Sequence, residues 1–252
     1  EQSSQSILVI RHAQSIHNLA RKNATKETEF AVQFDKQYKD TELSEIGIKQ
    51  CEEALEKAHK QNIGLVFTSP LRRAMETSRR LFGDHPNKPK IEVLPEIREV
   101  FTDSGDVPLP WTGELEKRFS EFDFSRLERF KEKKPLWFVE LCEENVKKML
   151  YELFEKKDPD TIPSDIIIDE MIKVAPEYIE TQIPVMERVL AVRKMIKERA
   201  SQLKEGEKVV VVAHGHLIYY LIAESFDAEG NPKKTKYLSN CEFFEYKLEQ
   251  IL

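Results

Sequence analysis

Ile7-Leu8-Val9-Ile10-Arg11-His12-Ala13-Gln14-Ser15 is the stretch that decides the fold. Four apolar residues, three of them β-branched, read as a short buried strand. An arginine and a histidine follow at the point where that strand ends. In open α/β sheets, ligands bind outside the carboxyl ends of the strands. The same pattern returns downstream, where Val209-Val210-Val211-Val212-Ala213 runs into His214-Gly215-His216. Between them, Ile63-Gly64-Leu65-Val66-Phe67-Thr68 leads to Ser69-Pro70-Leu71-Arg72-Arg73. The three strand ends are expected to meet in one pocket for a phosphate.

Working outward, residues 18–40 are polar, read as irregular or partly helical, and are placed to cover the site. Ser44 is expected to cap a helix whose apolar stripe is Ile48, Cys51, Ala54, Leu55 and Ala58. Strands are predicted over 63–67, 91–94, 209–213 and 241–248. Helices are predicted after Pro70, over 185–204 with Gly206 as the stop, and over 217–226. A polar loop is expected at 231–236. Strands alternating with helices predict a three-layer α/β/α sandwich with a mostly parallel sheet.

Between the third strand and residue 185 the pattern changes. Residues 101–184 carry 12 basic and 20 acidic side chains, whereas the rest of the chain is nearly balanced within a net charge of −6. This segment reads as a helical cap insertion forming a separate layer in a single domain of 252 residues, with a core of about 1–100 and 185–252. Its helix over about 115–157 is expected to break at Pro135, with turns at Asp158-Pro159 and Ile162-Pro163 and another helix over about 164–181 that is interrupted near Pro176. Its aromatic residues read as internal packing.

The overall composition is that of a soluble protein, 40% hydrophobic and 33% charged. No apolar run reaches the length of a membrane span, and the polar start, Glu1 to Ser6, does not read as a secretion signal. The acidic balance argues against non-specific nucleic-acid binding. Cys51, Cys142 and Cys241 have neither metal spacing nor a disulfide framework, which favours a reducing, cytoplasmic setting. Nothing in the sequence fixes an oligomeric state.

Phosphoryl transfer through a covalent intermediate needs a nucleophile, positive charge around the phosphate and a proton for the leaving oxygen. His12 supplies an imidazole. Arg11, Arg72 and His214 supply charge and hydrogen bonds, and backbone N–H groups after Gly215 are placed to add to the clamp. Glu99 is expected as the proton donor in preference to Glu96. His17, His59, His85 and His216 read as surface or packing residues. No step calls for a metal or a cofactor.

The sequence resembles the histidine phosphatase superfamily, the phosphoglycerate-mutase-like family. Arg11-His12-Ala13 resembles its Arg-His-Gly signature, and Asn18 follows at the family's spacing. Leu43 to Gln50 resembles its first helix start, and Ser69 to Thr77 its second phosphate-arginine motif. Glu99, Ala213-His214-Gly215 and Asn240 match later pieces, so that 1–100 and 185–252 are covered. The resemblance implies a phosphohistidine on His12, a pocket of Arg11, Arg72 and His214, and Asn18 as a rim contact. It implies a metal-independent phosphatase acting on a small phosphomonoester, with a phosphomutase or a non-catalytic scaffold as alternatives. Ala13 departs from the family's glycine, which matters if that position needs positive φ. Segment 101–184 has no counterpart, and in the family this region selects the substrate.

Overall fold

The computed structural model describes residues 6–109, 113–133, 137–156 and 163–247. The expected break at Pro135, the turns at Asp158-Pro159 and Ile162, the first five residues and the strand end at Leu248 lie outside them. After β1 (Ser6–Arg11) come α1 (Ile16–Asn23), α2 (Glu29–Gln33), α3 (Glu45–His59), β2 (Ile63–Thr68), α4 (Arg72–Phe82) and β3 (Lys90–Val93). The insertion holds α5 (Glu114–Arg118), α6 (Glu144–Glu155) and α7 (Pro163–Val174). The chain closes with α8 (Gln182–Ala200), β4 (Lys208–Ala213), α9 (Gly215–Leu221), a small hairpin of β5 (Ser225–Phe226) and β6 (Pro232–Lys233), and β7 (Phe243–Lys247).

The main sheet runs β3-β2-β4-β1-β7 and is parallel except for β7, which pairs antiparallel with β1. Its strands are covered on both faces, which is why they read as continuous apolar runs. Leu8, Ile10, Val66, Val210 and Val212 pack in one cluster with Cys51 and Ala58 of α3 and Met75 of α4. Ile7, Val9, Leu65, Val209 and Val211 pack in the other with Val189 and Ile196 of α8 and Leu217 of α9. These are the three expected layers.

The insertion departs from the sequence reading. Phe119, Phe122, Trp137, Phe138, Leu150 and Ile167 join the same buried cluster as Leu8 and Val66, so the segment has no core of its own. The long helix expected over 115–157 is instead a single turn, α5, then 3₁₀ turns at Ser125–Lys133 and Trp137–Leu141, then α6. Its aromatic anchors are too irregularly spaced to lie on one helical stripe, and successive turns bury them one by one. Near the C-terminus α9 ends at Leu221 rather than near 226, because Ser225 and Phe226 pair with Lys233 and Pro232 in what was expected to be a loop.

One buried ion pair ties the end of the insertion to the segment after β3. The Arg98 guanidinium, fully buried, donates to both oxygens of Glu180 at 2.8 and 2.9 Å. Glu180 also accepts from Phe101 N at 2.9 Å. Burial opposes its charge, but Arg98 and Arg188 outweigh that and hold its pKa down at about 2. Glu180→Ala leaves Arg98 charged and uncompensated, so urea unfolding is expected to show a loss of about 3–5 kcal/mol. The folded-state pKa lies below the ordinary 4.5. The pair therefore stabilises fully above about pH 4.5, and its contribution falls as pH drops towards 2. The variant is expected to show less of this acid loss.

Candidate active site

The register of two neighbouring strands sets the centre of the site. Arg11 of β1 lies opposite Ala213 of β4, so His12 and His214 leave adjacent strands side by side. Their ring centroids are 5.0 Å apart. The loop carrying His12 is held by its backbone. Ala13 N donates to Thr77 Oγ1 at 3.0 Å, and Gln14 N to Gln50 Oε1 at 2.8 Å. Ser44 N donates to Gln14 O at 2.9 Å, and Asn240 Nδ2 to His12 O at 3.0 Å. A Cβ on Gly47 would stand 2.1 Å from Gln14 O, so a side chain there is excluded by the loop itself. The start of α3 is thus a clamp on the histidine loop. Ala13 is absent from the described non-glycine residues with positive φ, so alanine in place of glycine brings no left-handed strain.

His12 is buried and its two ring nitrogens have different partners. Nδ1 lies 2.7 Å from Ala13 O and donates its proton there. Nε2 accepts from Arg73 Nε at 3.1 Å, so its lone pair faces the guanidinium. Burial, then the charges of Arg73 and Arg11, push the pKa of His12 well below 6.5. The imidazole is therefore neutral over the physiological range.

This geometry corrects the expectation for Arg72. Arg72 points away from His12: its backbone N donates to Asp40 Oδ1 at 2.7 Å, its Nε to Asp40 O at 2.6 Å, and its Nη1 to Glu42 at 3.2 Å. Of these two neighbours it is Arg73 that enters the pocket, where it also donates to Gly105 O and, at 2.9 Å, to Asp106 Oδ1. Residues 73 and 77 share one face of α4, and Thr77 Oγ1 bonds both Arg73 O and Ala13 N. That i, i+4 pairing was the available sequence signal.

Glu99 lines the pocket, whereas Glu96 pairs with Arg129. The Glu99 carboxylate accepts from Val100 N at 2.9 Å, His216 N at 2.9 Å and Leu217 N at 2.7 Å. The N–H groups expected to clamp a phosphate after Gly215 are thus taken by Glu99, which corrects that part of the reading. Gly215 has a different use. A Cβ there would lie 3.2 Å from Arg11 Cζ, so the glycine makes room for the guanidinium. Arg11 Nη1 donates to Leu238 O at 2.7 Å, and burial lowers its pKa. His214 Nε2 shares a 2.6 Å hydrogen bond with Ser69 Oγ. Arg11 Nε and His214 Nδ1 are both buried with no hydrogen-bond partner. Asn18 lines the pocket as expected from its position, with its side-chain oxygen accepting from Ser15 N at 3.2 Å.

The pocket measures about 240 Å³ and is mostly polar. Sequence reasoning missed part of its wall. His17, Arg21, Gln33, Thr102, Asp103, Asp106, Tyr178 and Tyr237 all reach it, and so does His216. His17, expected as a surface or packing residue, stacks on Tyr38 and places Nδ1 3.3 Å from Asp103. Burial raises Asp103, but His17 and Arg21 (Nη1 at 2.9 Å) outweigh it and hold the carboxyl below the usual range. Asp106 is pushed well above that range by burial and by the charges of Asp103 and Glu99. These contacts join segments far apart in sequence and leave no local pattern. Among the described residues no group of three His, Cys, Asp or Glu side chains forms a metal cluster, and no helix is long and apolar enough to cross a membrane.

The fold and site define a class. Residues 7–149 match the family model of the histidine phosphatase superfamily, branch 1. The chain belongs to that superfamily. Phosphoglycerate mutase-like protein 1 of Arabidopsis thaliana is 32% identical over 93 residues, a match covering 35% of this chain and 31% of that protein. The match thus spans about a third of the length of that relative. Among solved structures, mycobacterial hydrolase 1 is similar with a TM-score of 0.53 at 19% identity, covering 96% of this chain and 88% of that one. The mycobacterial glucosyl-3-phosphoglycerate phosphatase in complex with VO3 gives 0.51 at 19% identity, covering 96% and 92%. At such identities the likeness is one of fold, an α/β fold with a mostly parallel sheet.

Proposed function

We propose that this chain hydrolyses a small phosphomonoester without a metal, through a phosphohistidine on His12. The observation that carries the reading is the state of His12: neutral, with its Nδ1 proton held by Ala13 O at 2.7 Å and its Nε2 lone pair directed into a basic pocket. A substrate phosphate takes the place of that lone pair's contact with Arg73. Nε2 attacks phosphorus, the P–O bond to the alcohol breaks, and the leaving oxygen takes a proton carried on Glu99. Arg11, Arg73 and His214 stabilise the equatorial oxygens, and the unpartnered Arg11 Nε and His214 Nδ1 are donors of the right kind. Asn18 is a rim contact. In the second step Glu99 takes a proton from water, the water oxygen bonds to phosphorus, and the P–N bond breaks. Inorganic phosphate leaves and His12 is neutral again.

The reading is tested by release of inorganic phosphate from 4-nitrophenyl phosphate in EDTA. Metal-resistant release supports it. Transfer to a second alcohol without release of phosphate would support the mutase alternative, and no phosphorylation of His12 by any ester would support the scaffold. Glu99→Gln keeps the shape but carries no transferable proton. It is expected to slow hydrolysis of an alkyl phosphate by about 10²-fold. Hydrolysis of 4-nitrophenyl phosphate, whose leaving group departs unprotonated, is expected to fall far less. Equal losses for both esters would remove Glu99 from the proton-donor role.

A further inference from the structure

Beside the phosphate pocket lies a second cleft of about 300 Å³ whose wall is aromatic. His216 lies at its centre, with ring centroids 5.5 Å from Tyr178, 5.7 Å from Tyr220 and 6.4 Å from Tyr237. Tyr219 stacks on Tyr237 at 4.2 Å with the rings nearly parallel. Tyr178, His216 and Tyr237 line both spaces, so the two adjoin across these side chains. Tyr178 and Tyr237 remain 47% and 59% exposed, which is unusual for rings that only pack a core. Among the described residues no lysine or arginine lines the cleft. Its one carboxylate, Glu180, is already held by Arg98.

In-line displacement fixes where the alcohol must go. The leaving oxygen lies opposite the attacking Nε2 of His12 and must reach Glu99. Two of the three residues whose N–H groups hold the Glu99 carboxylate, Val100 and His216, line the aromatic cleft. Another cavity, about 430 Å³ and lined by Phe30, Phe34, Phe101 and Met171, also adjoins the phosphate pocket, but none of those three residues lines it. The side of Glu99 therefore selects the tyrosine cleft. We infer that the substrate's alcohol is uncharged and carries an aromatic ring that seats among Tyr178, His216, Tyr219 and Tyr237. The inference rests on the phosphatase reading for the direction in which the alcohol leaves. A cleft without cations disfavours a second phosphate or a carboxylate, and stacked phenols favour a planar π-face.

The test compares 3-phenylpropyl phosphate with pentyl phosphate, two esters of alcohols with similar acidity. kcat/KM is expected to favour the ring by about tenfold. Tyr219→Leu keeps apolar bulk without the ring, and in it the preference is expected to shrink to about twofold or less. Tyr237→Leu serves as the second variant should the first fail to fold. Calorimetry with 3-phenylpropylphosphonate and pentylphosphonate reads the same preference without turnover. Equal handling of the two esters and the two phosphonates overturns the inference and leaves the hydrolase reading intact. A preference that survives Tyr219→Leu but is lost in Phe30→Leu also overturns it, by moving the ring to the other cavity. Ring-selective phosphonate binding, sensitive to Tyr219→Leu, with no phosphate released from either ester, upholds the cleft and overturns the hydrolase reading.

Discussion

His12→Ala is expected to abolish phosphate release from every ester, a loss of about 10⁴- to 10⁶-fold in kcat, because the nucleophile itself is gone. The fold should survive. His12 is held by its backbone as much as by its ring: its N donates to Ala213 O at 2.9 Å, and its carbonyl accepts from Asn240. The accompanying measurement is rapid denaturation after mixing with a radiolabelled ester. The wild type should carry label that is stable to base and lost in acid, as a phosphorus–nitrogen bond is, and the variant none. Label at another residue, or activity that persists in the variant, overturns the phosphohistidine assignment.

Arg73→Gln is expected to cost about 10³-fold, because it removes a charged, bidentate-capable group from beside the developing phosphoryl charge. Arg72→Gln is expected to change the rate by no more than about threefold, since its partners are the buried Asp40 and the partly exposed Glu42 and it does not line the pocket. The two neighbours thus separate the helix face that meets the pocket from the face that does not. Arg73 also holds Asp106, so loss of rate alone would not distinguish charge from disturbed packing. The pH profile does. Arg73 is, after burial, the largest influence holding His12 below 6.5. Removing a positive charge raises the histidine pKa, so His12 becomes protonated at a higher pH than before. The acid limb of kcat/KM should move upward towards neutrality in Arg73→Gln and stay in place in Arg72→Gln. An unmoved limb in Arg73→Gln would mean that Arg73 does not face the nucleophile in solution.

The same pair of arginines marks where the sequence stops being sufficient. Short apolar strands followed by Arg11-His12 and by His214-Gly215 were legible because strand burial and strand ends leave local patterns. The conjunction of motifs in order identified the superfamily, and Glu99 followed from its place after β3. The role of Leu43 to Gln50 could be named from resemblance, but its physical task could not. Gly47 is small because Gln14 O comes within reach of where its Cβ would be, a contact across more than thirty residues.

By itself, then, the sequence determined the alternation of strands and helices, the two histidines at strand ends and, through its motifs in order, the superfamily. Tertiary structure alone decided that Arg73 rather than Arg72 enters the pocket, because the phase of α4 is set by which face packs on the sheet. It likewise decided that Glu99 occupies the N–H groups after Gly215, that Asp103 and Asp106 sit beside the arginines, and that tyrosines from 178 to 237 gather into one cleft. Each of these is a meeting of residues distant in the chain, and packing rather than local propensity determines which distant residues meet.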